Sequence, residues 1–342
     1  MKFIDINKTH IRTTVKILGL KISWKSKKHL SPTENYNFAT NKRKFQPIYW
    51  PSNRFMNYMN DNYYTNTDRK WYIQQLFIRD VGYFPDIDNP KTFNEKIHWL
   101  SLYYHNPLIT TCVDKYTLKK YITDQIGKEY IVPLIGVWDK VEDINFDNLP
   151  KKFVIKVNWG DGERFGYIIK DKSKMDIDYI KSQLSDRMQP WQNGYYHSFF
   201  WGYKNVIPKI IAEEYIEQPD GQLNDYKLYC YNGKHEHTLV CTDRATRTRY
   251  INMDKNWSCF ATSKKSIIDN TFPKPKLYDK MVEIAEKLAK PFPFCRVDFY
   301  ETSGKIYVGE MTFHPNCGFN HYEKEWDYKL GEMLKLPPKW ED

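Results

Sequence analysis

Arg296, Asp298 and Glu310 carry the strongest chemical signal in this 342-residue chain. Strand alternation in FCRVDFY puts Arg296 and Asp298 on one face and Cys295, Val297 and Phe299 on the other. In KIYVGE, Ile306, Val308 and Glu310 share a face. A connecting loop of three residues, Thr302 to Gly304, would set Arg296 opposite Glu310 and Asp298 opposite Val308. A guanidinium and two carboxylates would then occupy one surface. A solvated cross-strand ion pair is the ordinary explanation for such a set. Here the opposite face is apolar and the run Thr312-Phe313-His314-Pro315-Asn316-Cys317-Gly318 follows, and loops after strand ends commonly line sites. Two adjacent carboxylates suit Mg²⁺, which keeps several waters and takes one or two protein oxygens plus substrate phosphates.

A second group lies in FVIKVNWGDGERFG. Lys156 interrupts an apolar strand, which is costly unless its ammonium reaches an anion or solvent. Gly160, Gly162 and Gly166 would let a loop bring backbone N–H groups up to phosphate oxygens. The spacing is neither that of a Walker loop nor that of a dinucleotide-binding turn. Lys115, after Asp114, is a third basic candidate.

These side chains need strands and helices to hold them. TFNEKIHWLSLYY opens with a capping box, Thr92 to Glu95, and continues with Phe93, Ile97, Leu100 and Tyr104 at helical spacing. A second helix is expected from Val113 to Ile126, stopped by Gly127. IVPLIGVW and KKFVIKV predict strands, and MDIDYIKSQLSDRM a helix. KIIAEEYIE, DYKLYCYNGK and HEHTLVCT predict three more strands, the last two joined through Asn232-Gly233. KLYDKMVEIAEKLAK is amphipathic. Residues 31–66 predict an irregular connector, with ordered structure from about Arg69. The expected fold class is α+β (mixed α/β).

Composition narrows the function. With 41% hydrophobic and 17% aromatic residues the chain can bury a core, which excludes disordered and collagen-like classes. No apolar run is long enough to span a membrane, and the polar start lacks a secretory core. Six scattered cysteines predict reduced thiols in a cytoplasmic protein. The net charge of +10 resides in the first 60 residues, which hold twelve Lys/Arg and two acids; the remainder is balanced at 40 and 40. A basic extension on a neutral body argues against a nucleic-acid partner. IRTTVKILGLKISWKSKKHL could instead rest on an anionic membrane surface, or form a mobile or loosely docked arm.

The order Asp114-Lys115, FVIK with its glycine loop, IIAEEYIE, DYK and RVDFY…GKIYVGEMTFHPNCG resembles the ATP-grasp superfamily, and within it the TupA-like group of bacterial polysaccharide gene clusters. PKTFNEKIHWLSLYYHNPL and GEMTFHPNCGF resemble the same group, so the likeness covers about residues 70 to 335. It implies ATP and Mg²⁺ held between two α+β subdomains, and a carboxylate converted to an acyl phosphate that an amine attacks. It implies phosphate contacts from Lys115 and Lys156 and a closing loop that includes Gly160 and Gly162. Glu213, Glu214, Tyr215 and Ile216 would form the adenine-reading hinge, Asp298 and Glu310 would hold metal, and Arg296 would stabilise developing charge with Lys156. Lys227 would be a further phosphate or substrate contact. The implied organisation is a basic extension over 1–66, a helical portion over 67–150, a small subdomain over 151–215 and a metal-bearing subdomain over 216–342. The expected activity is ATP-dependent carboxylate–amine ligation in surface polysaccharide assembly at or near the inner membrane face, joining an amine to a uronic acid. A nucleotide-sugar glycosyltransferase and a non-catalytic nucleotide-binding scaffold are the alternatives.

The chain departs from the pattern in having Thr312 where Asn is usual, and Asn158-Trp159-Gly160 where Asn-His-Gly is frequent. His235 and His237, alternate residues of a strand, could share a metal but predict ordinary exposed histidines. His314 could take a proton from the attacking amine or be structural, and His321 flanks the same glycine. Cys317 has no nearby base in the sequence, and Trp191, Trp201, Tyr195 and Tyr196 predict core packing, although aromatic platforms also suit sugars.

Overall fold

The structure, a computed structural model, describes residues 4–8, 12–17, 20–25, 53–160, 166–217, 223–243 and 247–340. Three antiparallel strands, β1 (Ile4–Lys8), β2 (Arg12–Ile17) and β3 (Leu20–Lys25), run through the basic extension. Helix α1 (Asn53–Asn60) and helix α2 (Asn66–Asp80) follow. Ordered structure therefore starts before Arg69, because Thr65 and Asp68 form a capping box that the Asn-rich composition had masked.

Two antiparallel sheets carry the rest. The smaller joins β4 (Leu134–Trp138), β5 (Phe153–Val157), β6 (Gly166–Ile169) and β7 (Ile210–Glu214) in the order β4-β7-β5-β6. The larger runs β11-β10-β9-β8-β12-β13, from β8 (Asp225–Tyr231), β9 (Lys234–Thr242), β10 (Arg249–Asp254), β11 (Cys259–Phe260), β12 (Phe294–Thr302) and β13 (Lys305–Thr312). Segregated antiparallel sheets with flanking helices make this an α+β fold.

Helix α3 (Phe93–Tyr103) starts at the expected Thr92–Glu95 capping box. The expected helix over 113–126 is two pieces, α4 (Pro107–Val113) and α5 (Thr117–Ile126). Asp114 breaks it: its backbone is extended, and its carboxylate accepts from Tyr116 N at 2.8 Å and Asn158 Nδ2 at 2.8 Å. Helix α6 (Ile177–Arg187), the short α7 (Tyr195–Ser198), the amphipathic α8 (Tyr278–Ala289) and α9 (Lys324–Met333) complete the chain.

The main core packs Leu228, Cys230, Cys295, Val297 and Phe299 of the large sheet against Met281, Ile284 and Leu288 of α8, and continues into Phe153, Ile155 and Val157 of the small sheet. A second core sets Tyr229, Tyr231 and Phe294, from the other face of the large sheet, against Phe93 and Ile97 of α3 and Leu330 of α9. Lys227 and Asp298 alternate onto this second face, away from α8.

The final hairpin differs from expectation in its turn. Thr302 pairs with Lys305, leaving the two-residue turn Ser303-Gly304 with φ of 49° and 73°, both left-handed as a tight hairpin of right-twisted strands requires. A bulge then shifts the register between Asp298 and Phe299. Arg296 therefore faces Thr312, and Asp298 faces Glu310, in place of the expected Arg296–Glu310 and Asp298–Val308 pairings.

Candidate active site

Without the bulge, the two-residue turn would put Glu310 on the core side of the sheet. Gly309 is the extra residue, lying between Val308, opposite Phe299, and Glu310, opposite Asp298. It restores parity and returns Glu310 to the face of Asp298. A Cβ at Gly309 would come within 2.7 Å of the Tyr300 ring, so no larger residue fits without displacing it.

On that face Arg296 donates from Nε to Asp298 Oδ1 and from Nη2 to Asp298 Oδ2, both at 2.7 Å. The same Nη2 reaches Glu310 Oε1 and Thr312 Oγ1, each at 3.0 Å, and Thr312 Oγ1 donates to Glu310 Oε1 at 3.3 Å. Lys227, next to β12, binds Asp298 Oδ2 and reaches Asp225 Oδ2 at 2.6 Å. Lys115 comes in from the break between α4 and α5, its backbone N–H held by Asn158 O at 3.0 Å, its ammonium donating to Gly160 O and 3.4 Å from Glu310 Oε2. Three cations and three carboxylates thus interlock within one cluster.

Burial sets the protonation states. It pushes the Asp298 carboxyl up to about 6 although Arg296 and Lys227 oppose the rise. Burial acts the same way on Glu310, but Lys115, Lys227 and Arg296 together hold its carboxyl well below the usual range. Lys227 stays protonated because Asp298 and Asp225 outweigh its desolvation.

The small sheet presents a second charged group. Glu213 is 6% exposed and sits between two ammonium groups, Lys119 Nζ at 2.6 Å and Lys156 Nζ at 2.5 Å. Lys119 also donates to Val132 O at 2.7 Å. Burial raises the Glu213 carboxyl and the two lysines more than reverse this, so it is ionised. Gly166 faces Lys156 across the β5–β6 ladder, and a Cβ there would lie 2.9 Å from the lysine Cβ. Glu214 is exposed, and Tyr215 and Ile216 follow β7 half-buried. Gly162 lies outside the described residues. Lys119 carries no local signal in the sequence, where it reads as one more lysine of the helix after Asp114.

Arg296, Glu310, Lys115 and Gly160 line one cleft with Thr312, His314 and Cys317. Lys156 and Glu213 of the small sheet form a separate triad with Lys119 of α5, and none of the three lines that cleft. His314 is buried, stacked on Phe200 at 4.9 Å and edge-on to His98 at 5.2 Å. Burial, with His98 and His197 nearby, holds it far below the ordinary imidazole range, so it is neutral and a poor proton acceptor. Asn316, Cys317 and Gly318 turn under it with φ of 50°, 54° and 71°. His235 and His237 are buried, against expectation: His235 bonds Thr238 Oγ1 at 3.0 Å, and His237 stacks on Tyr229 at 4.3 Å. His321 is exposed.

Among the described residues, no group of three or more His, Cys, Asp or Glu side chains is arranged to hold a metal ion. Asp298 and Glu310 with the Thr312 hydroxyl make an all-oxygen pair-plus-one, which fits a hard cation that draws its remaining ligands from water and phosphates.

Residues 95–335 match the family model described as TupA-like ATPgrasp. No curated protein matches the chain. Among solved structures, the D-alanine–D-alanine ligase of Bacillus anthracis is 20% identical, with 70% of this chain and 73% of that chain covered and a TM-score of 0.42. That of Coxiella burnetii is 15% identical, covering 71% and 64%, with a TM-score of 0.39. An N5-carboxyaminoimidazole ribonucleotide synthetase in complex with ADP is 15% identical, covering 75% and 59%, with a TM-score of 0.42. The chain thus spans roughly six to seven tenths of these proteins' length.

Proposed function

Because this chain belongs to the TupA-like ATP-grasp family, a family of ATP-dependent ligases of surface-polysaccharide assembly, we propose that it joins a carboxylate to an amine through an acyl phosphate. The observation that carries the reading is the facing pair Asp298 and Glu310, bound to one guanidinium and ringed by Lys115 and Lys227. That cluster is charge-balanced as it stands, so a divalent cation added to it creates the excess positive charge that a triphosphate matches.

Asp298 and Glu310 would hold Mg²⁺, which when bound supplies charge neutralisation across the β- and γ-phosphates. Lys115 and Lys227 then hold phosphate oxygens. The substrate carboxylate oxygen attacks the γ-phosphorus and ADP departs. Arg296 stabilises the charge on the acyl phosphate and on the tetrahedral adduct formed when the amine nitrogen attacks the acyl carbon; the C–O bond to phosphate then breaks. Lys156 and Lys119, sharing one carboxylate, carry a net positive charge on the small sheet, which suits the nucleotide's phosphates from the other side. Glu214, the last residue of β7, and Tyr215 and Ile216 after it would supply backbone contacts to adenine, with Glu213 committed to the two lysines.

The acceptor class we assign is a uronic acid or another glycan carboxylate, and the donor an amine such as an amino acid. Among the described residues no helix is long and apolar enough to cross a membrane; a peripheral contact would fall to the basic residues 1–60, to be tested by vesicle pelleting with and without them. The decisive experiment is release of ADP and phosphate from ATP that requires both a carboxylate and an amine. Release of a nucleoside diphosphate from a nucleotide-sugar donor, with no turnover of ATP, would reject the ligase reading.

A further inference from the structure

Lys115 reaches the charged cluster from the break between α4 and α5, where no helix or strand ladder fixes the chain. The constraint comes from Asn158, the residue after β5, which is 0% exposed. Its backbone carbonyl accepts from Lys115 N at 3.0 Å, and its side-chain Nδ2 donates to Asp114 Oδ1 at 2.8 Å. The same side chain grips the segment that leads into β7. Nδ2 donates to Ile207 O at 2.9 Å, Oδ1 accepts from Lys209 N at 2.8 Å, and the Asn158 backbone N–H donates to Lys209 O at 2.9 Å. Every polar group of Asn158 is therefore spent on segments 44 to 51 positions away in the chain.

The partners dictate the residue type. Asp114 Oδ1 and Ile207 O are acceptors and Lys209 N is a donor, so the side chain between them must offer two N–H groups and one oxygen. A primary amide does so. A carboxylate of the same shape would turn an oxygen toward an acceptor, and an apolar residue would satisfy none of the three. Two residues on, Gly160 O accepts from Lys115 Nζ, and the intervening Trp159 is anchored by its Nε1, which donates to Arg187 O at 3.1 Å. Lys115 is thus held at its backbone by Asn158 and at its ammonium by Gly160 O, with Glu310 Oε2 3.4 Å away.

We propose that Asn158 is a positioning residue for ATP use: by tying the Asp114–Lys115 break to the end of β5 and to the approach to β7, it fixes where Lys115 meets a phosphate. It touches no reacting atom and acts through Lys115. The proposal rests on the ligase reading, in which Lys115 holds a phosphate oxygen.

The test uses the full-length protein, its N158D and K115M variants and the N158D/K115M double variant, with Mg²⁺ and a nonhydrolysable ATP analogue, followed by calorimetric titration and thermal unfolding. Nucleotide binding to wild type is recorded first. Its absence would overturn the ligase reading itself, and K115M binding as wild type does would remove Lys115 from the phosphates and this proposal with it. The expected result is that N158D and K115M each bind the analogue at least tenfold more weakly, while N158D/K115M stays within twofold of K115M. N158D should lower the unfolding temperature by the same amount with Lys115 or Met at position 115, because the ties that hold the segments together do not involve the ammonium. A structural role alone moves the unfolding temperature and gives no such dependence of ATP affinity on Lys115. Should N158D not fold, D114A unties the same hydrogen bond from the other side and takes its place, alone and combined with K115M, under the same criteria. A loss of affinity by the same factor in both backgrounds, or wild-type affinity in the single variant, overturns the assignment of Asn158 while leaving the ligase reading in place.

Discussion

Asp298 on β12 stands directly opposite Glu310 on β13, and one arginine, Arg296, bonds both. The pairing depends on Gly309, which has no partner on β12. Sheet geometry, a turn of two residues and one bulge together place two acids and a guanidinium on one face, with the main core on the other.

A Gly309→Ala substitution tests this dependence. The added methyl group would fall 2.7 Å from the Tyr300 ring, and overpacking of this kind costs about 1–3 kcal/mol. Melting temperature should fall by several degrees and ATP turnover by tenfold or more, because relief of the clash moves Glu310. Combining it with Tyr300→Ala should return stability more than activity. Equal activity of Gly309→Ala and wild type would detach the bulge from function.

Asp298→Asn and Glu310→Gln preserve shape and remove charge. Each should lower ADP release by about 100-fold or more, the usual scale for a group that stabilises transferring charge. Circular dichroism should report an unchanged fold. Retention of full turnover in either variant would remove the metal assignment.

Much of this was legible in the sequence for physical reasons. Alternation marked the charged face of β12, and the order of lysine strand, hinge and acidic hairpin identified the family that the match over 95–335 shows. Register was not legible: a glycine within a strand is compatible with bulge or no bulge, so alternation gives the face of Glu310 but not its partner on β12. Nor was the helix break at Asp114, whose carboxylate is satisfied by Asn158, a residue 44 positions away. Lys119 looked ordinary because its partner Glu213 is brought to it only by the tertiary fold. His235 and His237 looked exposed because nothing local announces that aromatic rings will cover them.

Cation binding should weaken as the solution is made acidic. Asp298 has its carboxyl raised to about 6, so it is ionised at neutral pH and protonated below that value. Glu310 is held low by Lys115, Lys227 and Arg296 and stays ionised throughout the same range. Protons therefore compete with Mg²⁺ at this interacting pair, chiefly through Asp298. The concentration of Mg²⁺ giving half-maximal ATP turnover should be flat from pH 7 to 8 and should rise towards tenfold per unit below about 6. A flat profile down to pH 5 would overturn the combination of a raised Asp298 carboxyl and its role as a ligand.

Lys119→Met addresses the triad on the small sheet. In the wild type one carboxylate, Glu213, is shared by two ammonium groups, so the triad carries one unit of positive charge in a largely buried place. Without Lys119 the remaining Glu213–Lys156 pair is neutral and the carboxylate is free to draw Lys156 fully to itself. The variant also abandons the Lys119–Val132 O hydrogen bond, and loss of one member of a buried ionic group costs on the order of 3 kcal/mol. We expect a lower melting temperature and, separately, an ATP KM raised by tenfold or more with a smaller change in kcat, since uniform nucleotide binding is what is removed. Lys119→Arg, which keeps the charge, should retain most of the affinity. If Lys119→Met loses stability while its ATP KM stays at the wild-type value, the triad is a structural clamp for β7 and the nucleotide's phosphates do not sense its charge.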